Sequence, residues 1–158
     1  MIQNKKTQTV GLAGTYFVAA ELSQQGHIAT VTSRNAEGLD ILASRPDGSK
    51  VVSIQIKTSG AEQRASFTRS WFLSKKDENR FSKSFFYVFV DLQLNSKPDY
   101  YIVPSKIVSD YIRESHKKHL STPGRGGKQH KDTTMRFFEI YDDSVAAKYL
   151  NKWENLGL

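Results

Sequence analysis

A chain of 158 residues suits one domain, 1–158, with a real core, because chains near this length bury roughly two thirds of the surface they expose when unfolded. It holds no cysteine, which excludes disulfides, thiolate catalysis and cysteine-held zinc or iron–sulfur clusters, and leaves oxygen or imidazole ligands for any metal. There is no apolar run of about 18 residues and no signal-peptide-like start, so a cytoplasmic protein without a membrane partner is expected, and its formal charge of +7 suits a polyanionic one.

In chain order, residues 11–25 predict a first helix ended by Gly26. Leu12, Tyr16, Val18, Ala19 and Leu22 lie on its apolar side with Thr15, and Glu21, Gln24 and Gln25 on its wet side. Residues 28–33 alternate as a strand, and 34–38 form a loop. Two apolar runs, 41–44 and 51–58, flank Pro46-Asp47-Gly48-Ser49, whose turn chemistry predicts an antiparallel hairpin. A polar connection without period follows at 58–64, then a strand near 70–73 and a charged turn or short helix at 75–80. The continuous apolar run 85–92 reads as a strand covered on both faces, and 100–103 as its neighbour at the sheet centre.

Ser105 is the expected N-cap of a helix to about 119, with Ile107, Val108, Tyr111 and Ile112 inward. Residues 121–134 carry three glycines and a proline without periodicity and read as a mobile loop. A last strand at 135–140 precedes a helix opened by Asp142, with Val145, Tyr149, Trp153 and Leu156 on one stripe. Between Ser105 and Arg136, eight bases face three acids, a local excess of five. A basic surface of this kind either binds nucleic acid through phosphates or is a solvated face. Arg125, Lys128 and Lys131 in the glycine-rich loop are the candidate phosphate contacts. His116, His119 and His130 form a loose basic cluster without a zinc-binding spacing.

The hairpin carries three polar groups foreign to a sheet core: Asp40, Gln55 and Lys57. An even loop centred between Asp47 and Gly48 sets Asp40 across from Gln55, with Cβ atoms about 5 Å apart, and Lys57 shares that face by two-residue alternation. Ile54 and Ile56 point the other way. A carboxylate, an amide and an ammonium on one face form a candidate site; an ion pair of Asp40 with Lys57 and a polar filler at Gln55 is the structural alternative.

The order of elements, with Asp40 on one strand and a Gln-x-Lys on the next in VVSIQIKTS, its Lys57 17 residues after Asp40, resembles the PD-(D/E)xK nuclease superfamily. That superfamily has the restriction-endonuclease-like, Holliday-junction-resolvase-like fold. The segments GTYFVAAELS, TSRNAEGLDILAS, SWFLSKKDE and KPDYYIVPS resemble a family of small bacterial proteins of the same fold. The resemblance implies an α/β protein with a mixed central sheet flanked by helices. It also implies Mg²⁺- or Mn²⁺-dependent endonuclease chemistry: Asp40 as metal-binding carboxylate, the Gln55 oxygen as second ligand, and Lys57 as the water-positioning and charge-stabilising group. Two departures stand out. Gln55 occupies a position usually acidic, and Thr15 the helix position where resolvase-like members carry Glu; Glu21 lies on the wrong side to replace it. The partner implied is nucleic acid, DNA in the first place, with a homodimer possible by analogy with resolvases. The alternative is a catalytically inactive nucleic-acid- or partner-binding module on the same fold.

Overall fold

The computed structural model describes residues 2–33, 38–60, 69–93 and 95–158, without the side chains of 2–6. Of the expected loop at 34–38, residues 34–37 lie outside the described ones, as do residues 61–64 of the polar connection expected at 58–64. Among the described residues seven strands form two sheets. The larger has the order β1 (Ile28–Val31), β2 (Ile41–Ser44), β3 (Val51–Ser59), β5 (Phe85–Asp91), β6 (Asp99–Pro104). The smaller pairs β4 (Arg69–Ser74) with β7 (Met135–Ile140). The large sheet is mixed, since β3 runs antiparallel to β2 and parallel to β5.

The longest strand, β3, is the middle of this sheet, and this corrects the expectation that residues 85–92 and 100–103 form its centre. Instead β6 is an edge. Its outer groups are taken up by the C-terminal segment: Asn151 N–H donates to the Tyr100 carbonyl at 2.6 Å and Ile102 N–H to the Tyr149 carbonyl at 3.0 Å. That duty breaks up the expected last helix. One α-helical turn forms, α3 (Asp143–Ala146), capped by Asp142, which accepts from Ser144 N–H at 2.7 Å; Asn151 then turns the chain at φ 55°, and Trp153–Leu156 make a separate 3-10 turn. Val145 ends up exposed and Leu156 buried, so the single stripe does not exist.

The first helix, α1 (Ile2–Gln24), starts nine residues earlier than expected and ends as expected. Gly26, at φ 86°, lets its N–H reach the Ser23 carbonyl and that of His27 reach Leu22, a left-handed cap that suits glycine. Val18 and Leu22 are fully buried, whereas Tyr16, expected inward, is exposed. Their core joins Ile41, Ala43, Ile54, Ile56, Val88 and Ile102. Gly14 sets the approach of helix to sheet. A Cβ there would stand 2.0 Å from Thr58 Oγ1, so a larger residue would push α1 off β3.

The other sheet face is covered by β4, β7 and α2 (Ser105–Ser121), over a second core in which Trp71, Tyr87, Phe89, Tyr101 and Phe138 dominate. Phe89 and Phe138 stack at 4.5 Å, and Trp71 Nε1 donates to the Val90 carbonyl at 3.1 Å, tying the layers together. Ser105 does not cap α2, because Pro104 holds that position; the Ser105 hydroxyl accepts from Ser82 N–H and donates to the Ser82 carbonyl, both at 3.1 Å. Ile107, expected inward, is exposed. The charged stretch after β4 forms a 3-10 turn at Lys75–Asn79. No helix among the described residues is long and apolar enough to cross a membrane.

Candidate active site

The observed pairs Ile41 with Ile54 and Ser44 with Val51 keep the register expected from the turn. One step beyond them the regular ladder stops. Asp40 N–H donates to the Ile54 carbonyl at 2.9 Å, and Ile56 N–H donates not to a main-chain carbonyl but to Asp40 Oδ2, at 2.6 Å. The acceptor that a regular partner strand would supply is the Leu39 carbonyl, and this is taken by the Thr32 hydroxyl. With Thr32 N–H on the Asp40 carbonyl at 3.0 Å, β1 draws the chain away from β3 and leaves the Asp40 carboxylate in the gap. Asp40 therefore straddles Gln55, touching the residue on each side of it.

Gln55 and Lys57 alternate with Ile54 and Ile56, which are buried under α1, so they face the opposite side, in register with Tyr87 and Phe89. Gln55 is only 8% exposed, and its Oε1 is buried without a hydrogen-bond partner among the described residues. Such an orphan oxygen costs about 1–3 kcal/mol, and native proteins rarely keep one without use. Lys57 is half-buried and, among the described residues, makes no ion pair or hydrogen bond. The structural alternative of an Asp40–Lys57 pair is not what the chain builds: the carboxylate spends one oxygen on Ile56 N–H, and the ammonium is left over.

The first helix contributes no acid. The Thr15 hydroxyl donates to its own helix at the Gly11 carbonyl, 3.2 Å away. Glu21 belongs to the other end of the sheet, 3.9 Å from Lys97 Nζ and close enough to Tyr100 on β6 that its charge, after burial, helps raise that phenol to about 12. Among the described residues no group of three or more His, Asp or Glu side chains could hold a metal ion.

The basic region divides in two. Lys106 and Arg113 both bind Asp110, at 2.6 Å each. Arg136, counted with the surface bases by sequence, is 3% exposed and pairs with Glu78 while donating to the carbonyls of Thr133 and Met135. It is a structural ion and not part of the basic surface. Lys117, Lys118, Arg125, Lys128 and Lys131 are exposed and form no ion pair among the described residues. The loop bearing the last three is folded: Gly124 N–H donates to the Lys128 carbonyl at 2.8 Å, a 3-10 turn spans Arg125–Gly127, and the His130 ring stacks on His119 at 3.9 Å.

Missed by sequence reasoning were the Thr32 hydroxyl and Ile56 N–H that set Asp40 in place, and the exposed pair Phe72–Phe137, in edge-to-face contact at 5.9 Å. The alternation of 135–140 could have flagged Phe137, since it leaves Met135 and Phe137 on one face and Arg136 and Phe138 on the other.

No family model matches the sequence, and no curated protein matches it. A solved structure of a bacterial homing endonuclease, I-Ssp6803I, superposes with a TM-score of 0.56 over 93% of this chain and 90% of its own, at 10% identity. Hjc, a Holliday junction resolvase from the archaeal hyperthermophile Archaeoglobus fulgidus, superposes with a TM-score of 0.49 over 93% and 95%, at 14% identity. The chain has the restriction-endonuclease-like fold: a mixed sheet flanked by helices, as found in nucleases.

Proposed function

We propose that this chain, as one domain, is a cytoplasmic metal-dependent endonuclease that hydrolyses phosphodiester bonds of nucleic acid, DNA in the first place, with Asp40, Gln55 and Lys57 as its catalytic residues. The observation that carries this reading is the Asp40 carboxylate bonded to Ile56 N–H on β3, the residue between Gln55 and Lys57, whose Oε1 and Nζ have no partner among the described residues. Such unsatisfied groups on a rigid central strand are costly in a purely structural role and suited to a ligand.

The donor set fits a hard divalent cation, Mg²⁺ or Mn²⁺. The second oxygen of Asp40 and the orphan oxygen of Gln55 would hold it, with water and substrate phosphate completing its shell. When bound, such a cation supplies a Lewis acid for the phosphoryl oxygen and a more acidic water. Lys57 would hold the attacking water in line and meet the negative charge that develops on the phosphate. Ile56 N–H fixes one carboxylate oxygen of Asp40, which orients the other. Arg125, Lys128 and Lys131 would take the phosphate backbone; their exposure and their lack of acid partners among the described residues support that role.

A specific observation favours a second reading, a nucleic-acid-binding module without catalysis: among the described residues the site has a single carboxylate, with Gln55 and Thr15 where acids would stand. Cleavage of plasmid, single-stranded, branched and RNA substrates with Mg²⁺ or Mn²⁺ separates the two. The catalytic reading predicts metal-dependent products that disappear with Asp40→Ala and Lys57→Ala. Equal activity in all three proteins would overturn it, and binding without cleavage would favour the module.

A further inference from the structure

Away from the β3 site, a cleft of about 260 Å³ opens between the C-terminal half of α2 and the outer side of β7. Its walls divide by chemistry. Ile112, Met135 and Phe137 form an apolar wall, and Met135 and Phe137 are 48% and 44% exposed, an unusual place to leave an aromatic ring beside a thioether. His119 and Lys131 bring N–H donors, and Lys131 has no acid partner among the described residues. His116 also lines the cleft, but its Nε2 is already held by Asp132 at 2.8 Å. Glu139, four residues along β7 from Met135 and thus about 13 Å away, lines the cleft too, with its carboxylate bonded by the Tyr141 hydroxyl.

We propose that this cleft binds one unpaired nucleotide of a nucleic-acid strand, with the base on Phe137 and Met135, the phosphate at His119 and Lys131, and an exocyclic amine of the base donating to Glu139. An aromatic face beside cations is the chemistry that captures single strands, since every base offers a ring to stack while the cations follow the phosphates. A carboxylate would repel phosphate but accepts well from the amino group of cytosine or adenine. The cleft suits a base released from its pair, because a stacked pair cannot present a ring face to Phe137. The occupant follows from charge: Lys117, Lys118, Arg125 and Lys128 are exposed on the same helix end and loop, also without acid partners among the described residues, so a strand leaving the cleft runs into positive charge. This inference rests on the nucleic-acid reading above and deepens it to a preference for strands with unpaired bases.

The test is fluorescence anisotropy with the full chain, a labelled short oligodeoxycytidine, and a duplex as second probe, at fixed low salt with a chelator so that cleavage plays no part. Phe137→Ala and Lys131→Ala are each expected to weaken single-strand binding about ten-fold, Phe137→Trp to retain it, and duplex binding to change by less than about two-fold in Phe137→Ala. Unchanged single-strand affinity in Phe137→Ala, with the parent binding both probes, would overturn the cleft assignment alone. A parent that binds neither probe would overturn it together with the nucleic-acid reading on which it rests.

Discussion

Two regions of this protein place carboxylates and cations inside the fold, and they treat them in opposite ways. Beside the 3-10 turn, Asp77 is 5% exposed; its Oδ1 accepts from the Tyr87 hydroxyl at 2.8 Å and its Oδ2 from Ser74 N–H and Oγ at 2.8 and 3.0 Å. Next to it, Glu78 pairs with buried Arg136, whose Nη1 donates to the carbonyls of Thr133 and Met135 and whose Nη2 lies 3.6 Å from the Asp132 carboxylate. Burial, followed by the Asp77 charge, pushes the Tyr87 phenol far up, which keeps it a donor. At the β3 site, by contrast, the Asp40 carboxylate has one bond, Gln55 Oε1 none and Lys57 none among the described residues. A buried polar cluster that is fully bonded holds a fold together; one left open has unspent bonding capacity for something else.

Breaking the closed cluster gives the largest effect expected. Glu78→Ala leaves Arg136 buried without its main partner and should cost about 3 kcal/mol in denaturant unfolding, while the folded fraction keeps its catalytic behaviour. A smaller effect sharpens the contrast from the open side. Gln55→Leu removes the orphan oxygen while keeping much of the volume, and should raise stability by about 1 kcal/mol while removing cleavage. A stability loss there would mean that the amide is bonded in solution and that Gln55 is structural. Of similar size but opposite sign, Tyr87→Phe withdraws one of the donors that satisfy Asp77 and should lower stability by about 1 kcal/mol.

The smallest effect lies at the surface. Asp132 is held down to about 2, first by its bond from His116 and then by Lys75. Because its folded value is depressed, its contribution is present above the ordinary carboxylate value of 3.8 and is lost as pH falls through about 2. Titration of the Asp132 carboxyl carbon by NMR should show His116→Ala moving it back toward 3.8. No shift in that variant would remove His116 as the cause.

The hairpin was legible in the sequence because Pro46-Asp47-Gly48-Ser49 fixes a turn, and a turn fixes a register; the pairing of Ile41 with Ile54 and the shared face of Gln55 and Lys57 follow from it. What the register could not reveal is the point where it stops. The Asp40 contact with Ile56 N–H depends on Thr32 drawing off Leu39, a competition between strands that no local pattern encodes. Arg136 reads as a surface base until Glu78, 58 residues away, is known to face it. The last helix fails for a related reason: the edge of β6 needs partners, and the chain gives up helical bonds to supply them. Ser105 has capping chemistry and uses it on Ser82 instead. In each case a long-range demand overrides a local preference.

The central claim is that the Asp40 charge, and not merely its hydrogen bond, is what the β3 site needs. Asp40→Asn separates the two, since the amide oxygen can still accept from Ile56 N–H while the charge is gone. Metal-dependent cleavage of DNA by Asp40→Asn should fall by about 10²-fold or more at nearly unchanged stability, as loss of an essential catalytic group does. Cleavage at the parental rate by the same folded variant would contradict the account and leave Asp40 as the cap of a strand end.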